Sequence, residues 1–324
     1  MLRTVFLLFG TALLALLLWR LGPHEILDLL GGIGWYAIPI FFLYAAHLAM
    51  RALALRWCVL RPGLLGYGDA LAIRLSGDAV ESLTFTGPLL AEPTRAWLLQ
   101  RRGLTLKEGF AATITEYLIC SFVAAAMSIA GLLYLVEHFE PAAAISRIAI
   151  AVLCSLAAFL IASAIAIKRR FYLIGTIIAG LARIGILRGR LRPDLTSINQ
   201  MEDLLLAVLR DRPARFAAVA LIEAIAQAFL VLEMFWLLQV FALTVPQSYP
   251  FVIEASTKII GVAFFFIPLQ LGAAEGTYAV VFDTVGLPAP AGFALAFARR
   301  ARSLVVAGVG LAALAAMSRE RRIE

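Results

Sequence analysis

Six stretches of this chain, about 4–21, 34–56, 110–136, 143–167, 214–243 and 290–317, stay apolar for the roughly 20 residues that a helix needs to cross a bilayer. One globule cannot hide that much apolar surface. Hydrophobic residues make up 62% of the 324 and charged residues only 15%, against about 45–50% and about 25% in soluble domains. The chain therefore reads as an all-α polytopic membrane protein, and most soluble-enzyme classes drop out. The first stretch follows Leu2 and Arg3 without a small-residue cleavage signature, so it is read as a retained span.

Basic residues set the orientation. Connections 57–107, 168–213 and 318–324 carry 6, 9 and 3 Lys or Arg, a total of 18, whereas 21–33, 137–146, 244–249 and 276–289 carry none. This alternation puts both termini on the cytoplasmic side of, by expectation, a bacterial inner membrane. The net charge of +7 then reflects topology and attraction to anionic inner-leaflet lipids, with no nucleic-acid partner expected. Connection 168–213 contains two amphipathic pieces, near 171–187 and 199–210, suited to lying on that leaflet. Cys58, Cys120 and Cys154 are far apart, and His24, His47 and His138 are scattered. No disulfide framework, metal site or cofactor is expected.

Residues 69–92 and 250–275 are apolar enough to enter lipid, but each is interrupted by charge and then by proline. A full crossing by either would break the alternation, so they read as re-entrant hairpins entering from opposite faces. Pro88 and Pro268 break the helix near the tips, with Gly87 and Gly272 beside them. The half-helix after Pro268 would point its positive end at an anion.

The hairpins also belong to an internal repeat. At an offset of 183, residues 92–116 meet 275–299 with Glu92, Thr94, Ala96, Gly103, Leu104, Gly109, Phe110 and Ala111 facing identical residues. At an offset of 180, Ile73, Ser76, Phe85, Pro88 and Leu89 do the same. Three spans, an odd number, separate equivalent points, which predicts a single membrane domain over 1–324 built from inverted halves at about 34–136 and 214–317. Such a pattern points to a substrate site near the midplane and to alternating access.

Within lipid, charge is expensive and draws attention to itself. Glu116 and Arg299 are pseudo-equivalent and opposite in sign, as are Arg74 and Glu254, and Asp78 and Lys258. Two accounts stay open. In one, Arg299 and Arg302, a helical turn apart, bind an anionic headgroup or phosphate, while Glu92, Glu116 and Glu275 balance that positive site and the hairpin charges gate it. In the other, these residues pair internally to fix the packing of the halves, or the arginines snorkel to an interface. Arg51, Arg56 and Trp57 close the second span as ordinary interfacial anchors, with a ligand role as the minor alternative.

RALALRW at 51–57, GPLLAEPTRAWLLQRRG at 87–103, Glu116, PLQLGAAEG at 268–276 and an Arg-bearing last span together resemble the flippase-like transmembrane domain of the lysylphosphatidylglycerol synthase family. Leu269 and Gln270 stand where that family commonly has two glycines, and Tyr117 follows Glu116 where Arg is frequent. The resemblance implies lipid translocation, and by motif it marks Glu92, Arg95, Glu116, Gly272, Glu275 and Arg302 as site residues. With no aminoacyl-transferase domain alongside, the expectation is a non-enzymatic translocase for an anionic phospholipid, a polyprenyl-phosphate-linked lipid or a hopanoid-type lipid. A lipid-modifying enzyme is the first alternative. It would need a nucleophile or a metal-binding carboxylate cluster near one face, and no Asp-rich pair or His cluster is apparent. A non-transporting assembly partner of a lipid synthase is the second. A second copy of the chain or such a synthase are the candidate protein partners.

Overall fold

The computed structural model describes residues 34–84, 87–169, 176, 195–258, 267 and 270–319. Every regular element among them is helical. The helices are α1 (Ala37–Cys58), α2 (Tyr67–Leu83), α3 (Pro88–Arg101), α4 (Leu106–Phe139), α5 (Ala143–Arg169), α6 (Leu195–Leu209), α7 (Pro213–Val240), α8 (Tyr249–Thr257), α9 (Ala273–Thr284) and α10 (Ala289–Arg319). Five of them, α1 with the short turn before it, α4, α5, α7 and α10, are long and apolar enough to cross a membrane. Their ends fall within four residues of the expected spans. The expected span 4–21, the amphipathic piece near 171–187 and Pro268 lie outside the described residues.

Local chemistry explains the ends. Thr105 caps α4: its hydroxyl accepts from the Glu108 amide at 3.2 Å while the Glu108 carboxylate accepts from the Thr105 amide at 2.8 Å. The helix stops at Glu140, whose φ is 43°, with Pro141 next in line and unable to continue it. Pro213 starts α7 at the first-turn position, where a missing N–H costs nothing.

The two expected hairpins appear as helix pairs, α2 with α3 and α8 with α9, and both return legs run further than hydropathy suggested. The first continues to Arg101 and the second to Thr284. The turn into α3 uses Gly87 at φ 50° followed by Pro88, and α9 starts after Gly272 at φ 74°. Both are left-handed conformations in which a Cβ would be strained.

Packing between elements follows a paired pattern. α1 lies on α2 as α7 lies on α8; α3 lies on α4 as α9 lies on α10. The outgoing legs cross over, α2 packing on α10 and α8 on α4, while α1 and α7 pack on each other. Small residues seat these contacts. A Cβ on Gly109 would come within 2.8 Å of the Ala96 carbonyl oxygen, and one on Gly292 within 2.6 Å of the Tyr278 carbonyl oxygen. These two glycines are the matched pair at offset 183.

Connection 168–213 departs from expectation. Its piece near 199–210 belongs to α6, which buries Leu205, Leu206 and Leu209 against protein, packing on α4 and α7. That apolar face is therefore satisfied within the chain and does not depend on the leaflet surface. Two apolar cores result. One gathers Ile40, Met234, Leu237, Ile253, Phe282 and Phe293, the other Leu55, Ile73, Leu98, Ile119, Leu205 and Val219. Along α1, α7 and α10, Arg51, Glu223, Glu233, Arg299, Arg300 and Arg302 fall between the segments that feed these cores.

Candidate functional site

Between the cores lies a cavity of about 490 Å³. It is lined by α1 (Tyr44, His47, Arg51), α2 (Arg74, Asp78, Glu81), α8 (Glu254, Lys258), α9 (Tyr278) and α10 (Arg299, Arg300, Arg302), with Pro88 and Gln270 at the hairpin turns. Six cationic side chains and three carboxylates face it. Further carboxylates stand behind, so guanidinium faces dominate the wall.

The first ionic network is centred on Glu116, which is wholly buried. Arg51 donates to its carboxylate at 2.7 and 3.2 Å and Arg74 at 2.9 and 3.0 Å. Arg74 reaches on to Asp78 at 3.0 Å. Asp78 also accepts from Arg95 Nη2, which donates to Glu81 as well at 3.0 Å, while Arg95 Nη1 donates to Glu92. Arg95 itself is wholly buried and passes over Gly77, where any Cβ would overlap it. A planar fork with five donors suits this multiple pairing, which a lysine could not reproduce.

The second network is centred on Arg299. It donates to Glu254 and to the Tyr278 hydroxyl, both at 2.6 Å, and to Glu233 at 3.3 Å. Lys258 donates to the other Glu254 oxygen at 2.6 Å, and Arg302 pairs with Glu233. The Arg302 guanidinium also lies 3.6 Å above the ring of Tyr44 on α1, a cation–π contact. Beside this network, Arg300 donates to Glu275 at 2.7 Å and to the Gln270 carbonyl at 3.1 Å.

The two networks are near mirror images with the signs exchanged. Arg74 and Glu254, Asp78 and Lys258, and Glu116 and Arg299 were already matched by sequence. The structure adds a fourth pair, Arg51 and Glu233, at an offset of 182 that also brings the ends of α1 and α7, Cys58 and Val240, into register. Glu116 and Arg299 each stand ten residues into their helices, about 15 Å along the axis at 1.5 Å per residue.

The expected site residues divide cleanly. Arg74, Asp78, Pro88, Glu254, Lys258, Arg299 and Arg302 line the cavity, whereas Glu92, Arg95, Glu116, Gly272 and Glu275 do not. The latter hold the wall from behind. The positive end of α9 is already occupied, since Glu275 accepts from the Gly272 amide at 3.0 Å. The sequence marks Arg51 only as an interfacial anchor and Arg300 only as a snorkelling arginine, and it leaves Tyr44, Glu223 and Glu233 unmarked. The signal for the two glutamates was present: each is a carboxylate deep in an apolar run, and the rule that singled out Glu116 applies equally to them.

A second recess, a groove of about 680 Å³, opens where α1 ends and α7 begins, framed by Arg56, Trp57, Arg212 and Arg215. Arg56 and Arg215 donate to the Leu65 and Val59 carbonyls at 3.0 and 2.7 Å, which fixes the rim.

A family model described as the lysylphosphatidylglycerol synthase TM region matches residues 4–310. The chain belongs to that family. No curated protein and no solved structure matched it. Membership makes the chain an integral membrane protein with a role in membrane-lipid biology, and the paired helices, cavity and ionic networks lie inside the matched region.

Proposed function

We propose that this member of the lysylphosphatidylglycerol synthase transmembrane family is a lipid translocase. In this reading the cavity shelters an anionic headgroup while the acyl chains stay in the bilayer. The observation that carries the reading is the wall itself: six cations against three carboxylates in a space of about 490 Å³, set between two sign-exchanged networks. A phosphate entering there meets Arg51, Arg74 and Arg299 as charge-assisted donors.

The paired packing supports the inverted-repeat arrangement, with α2–α3 and α8–α9 as opposed re-entrant hairpins and the halves spanning about 34–136 and 214–317. Two halves that exchange their hairpins across α4 and α10 can rock about the α1–α7 contact, opening the cavity to each leaflet in turn. The groove around Arg56, Trp57, Arg212 and Arg215 supports a cytoplasmic location for that end of the molecule, against acidic inner-leaflet lipids.

The test is transfer of a headgroup-labelled phosphatidylglycerol in proteoliposomes, read by chemical quenching of the outer leaflet. The wild type should speed transfer over protein-free vesicles. Arg299→Lys, which keeps the charge but loses the fork, should slow it markedly while the protein still elutes as a folded species. Protein-containing vesicles no faster than empty ones, across a panel of anionic lipids, would refute translocation.

A further inference from the structure

We infer that Glu223 is a proton-binding site, occupied when an anionic headgroup fills the cavity and emptied when it leaves. The site follows from the geometry alone, and its coupling to transport rests on the translocase reading above. Glu223 lies on α7 with its carboxyl wholly buried, and no side-chain or backbone donor among the described residues reaches either oxygen; the group within hydrogen-bond range is the Glu116 carboxylate, which only a proton on one of the two acids can bridge. Its nearest cation is Arg51, whose Nε is 3.6 Å away, and that guanidinium already donates twice to Glu116.

The charge count of the first network points to the same residue. Three guanidiniums, Arg51, Arg74 and Arg95, are joined to five carboxylates, Asp78, Glu81, Glu92, Glu116 and Glu223. Four of the five accept a hydrogen bond from an arginine; Glu223 accepts none. A buried carboxylate without donors is costly, and taking up a proton removes the cost. The surroundings suit the neutral acid. Facing or adjoining Glu223 are Arg51 and Cys58 from α1, Glu116 and Cys120 from α4, Arg74 from α2, and Gln227 one turn along α7, with His47 of α1 reaching the neighbouring Ala226. His47 is occupied by the Ala226 carbonyl at 2.9 Å. Gln227 turns its amide nitrogen to Cys120 at 3.9 Å, and the O–H of a protonated Glu223 can donate to the Glu116 carboxylate.

Architecture does not explain the residue either. Each of Arg51, Arg74, Asp78 and Glu116 has a sign-exchanged counterpart that completes the mirrored network, whereas the position matching Glu223 at offset 182 is Phe41. Coupling follows from shared arginines. Arg51 and Arg74 both line the cavity, so a headgroup anion draws on the same donors that hold the carboxylates. The network then becomes more negative, and Glu223 takes one proton from water on the open side: a carboxylate and a proton form one O–H bond, with no electron transferred. Departure of the anion on the other side returns Arg51 to the carboxylates and releases the proton there. Anion and proton cross as a neutral pair.

Two measurements test this. Infrared difference spectra of the full chain in phosphatidylcholine bilayers at neutral pH, with minus without glycerol phosphate in the cavity, should contain a deuterium-sensitive carboxylic C=O band, lost in Glu223→Gln and retained with a shift in Glu223→Asp. An unchanged band in Glu223→Gln overturns the assignment, and this readout does not depend on transport. In proteoliposomes, a pH gradient should change the rate of phosphatidylglycerol transfer by the wild type, and Glu223→Gln should transfer at a rate that no longer responds. A variant with the wild-type response overturns the coupling. A wild type that transfers nothing refutes the translocase reading, while the infrared band still decides the protonation.

Discussion

At the scale of single residues, burial decides what an ion pair is worth. Glu116 and Glu233 are wholly buried, and each serves two arginines. Changing Glu233→Gln leaves Arg299 and Arg302 sharing one fewer carboxylate, and loss of one partner from a buried pair costs about 3–5 kcal/mol. Arg61 and Glu108 also pair, at 2.7 Å, but the Arg61 side chain is 55% exposed. Breaking that pair with Arg61→Gln should cost no more than about 1 kcal/mol. Thermal unfolding in detergent should rank Glu233→Gln far below Arg61→Gln, and equal melting temperatures would mean that the networks are not structural. Much of the site was legible at this scale. A charge inside an apolar run is anomalous on its face, which singled out Arg74, Asp78, Glu116, Glu254, Lys258 and Arg299. The partners of Arg51 were not legible, because it sits near the end of a span where an arginine is ordinary, and its match to Glu233 is surrounded by few identities. Three-dimensional pairing alone brings those two helices together.

At the scale of elements, helices approach where side chains are smallest. Gly109 and Gly292 are matched in the repeat, and each lets a hairpin's return leg touch the span that follows it. Leucine at either position must push two backbones apart and should destabilise by about 1–3 kcal/mol. Gly308, which faces open space, is the control: Gly308→Leu should leave the melting temperature unchanged or slightly raised. A loss at Gly308 equal to that at Gly109 would argue against the packing described. Span ends lie within four residues of the sequence reading because the apolar runs stop close to where Thr105, Pro141 and Pro213 begin or end the helices. The return legs α3 and α9 were underestimated, since hydropathy fails at Glu92 and Arg95 on the first and at Glu275 on the second, although Glu92 pairs with Arg95 and Glu275 with Arg300 inside the protein. That α6 lays its apolar face on protein was not legible for the converse reason. An amphipathic face is the same whether lipid or protein covers it, and here α4 and α7 do.

At the scale of the molecule, two networks of exchanged sign hold one cavity, and the lining favours anions while the acids behind it keep the arginines in place. Ionic strength should therefore weaken binding of a soluble headgroup analogue such as glycerol phosphate, measured by titration calorimetry, because the guanidinium wall is screened along with its ligand. The most direct test of a cavity that opens to both leaflets is thiol accessibility at Ser303, a half-buried residue of its lining. In a chain with Cys58, Cys120 and Cys154 replaced, Ser303→Cys should react with an impermeant thiol reagent supplied from either side of the vesicle, and phosphatidylglycerol should protect it from both. Reaction from one side only, unchanged by lipid, would contradict alternating access of an anionic headgroup.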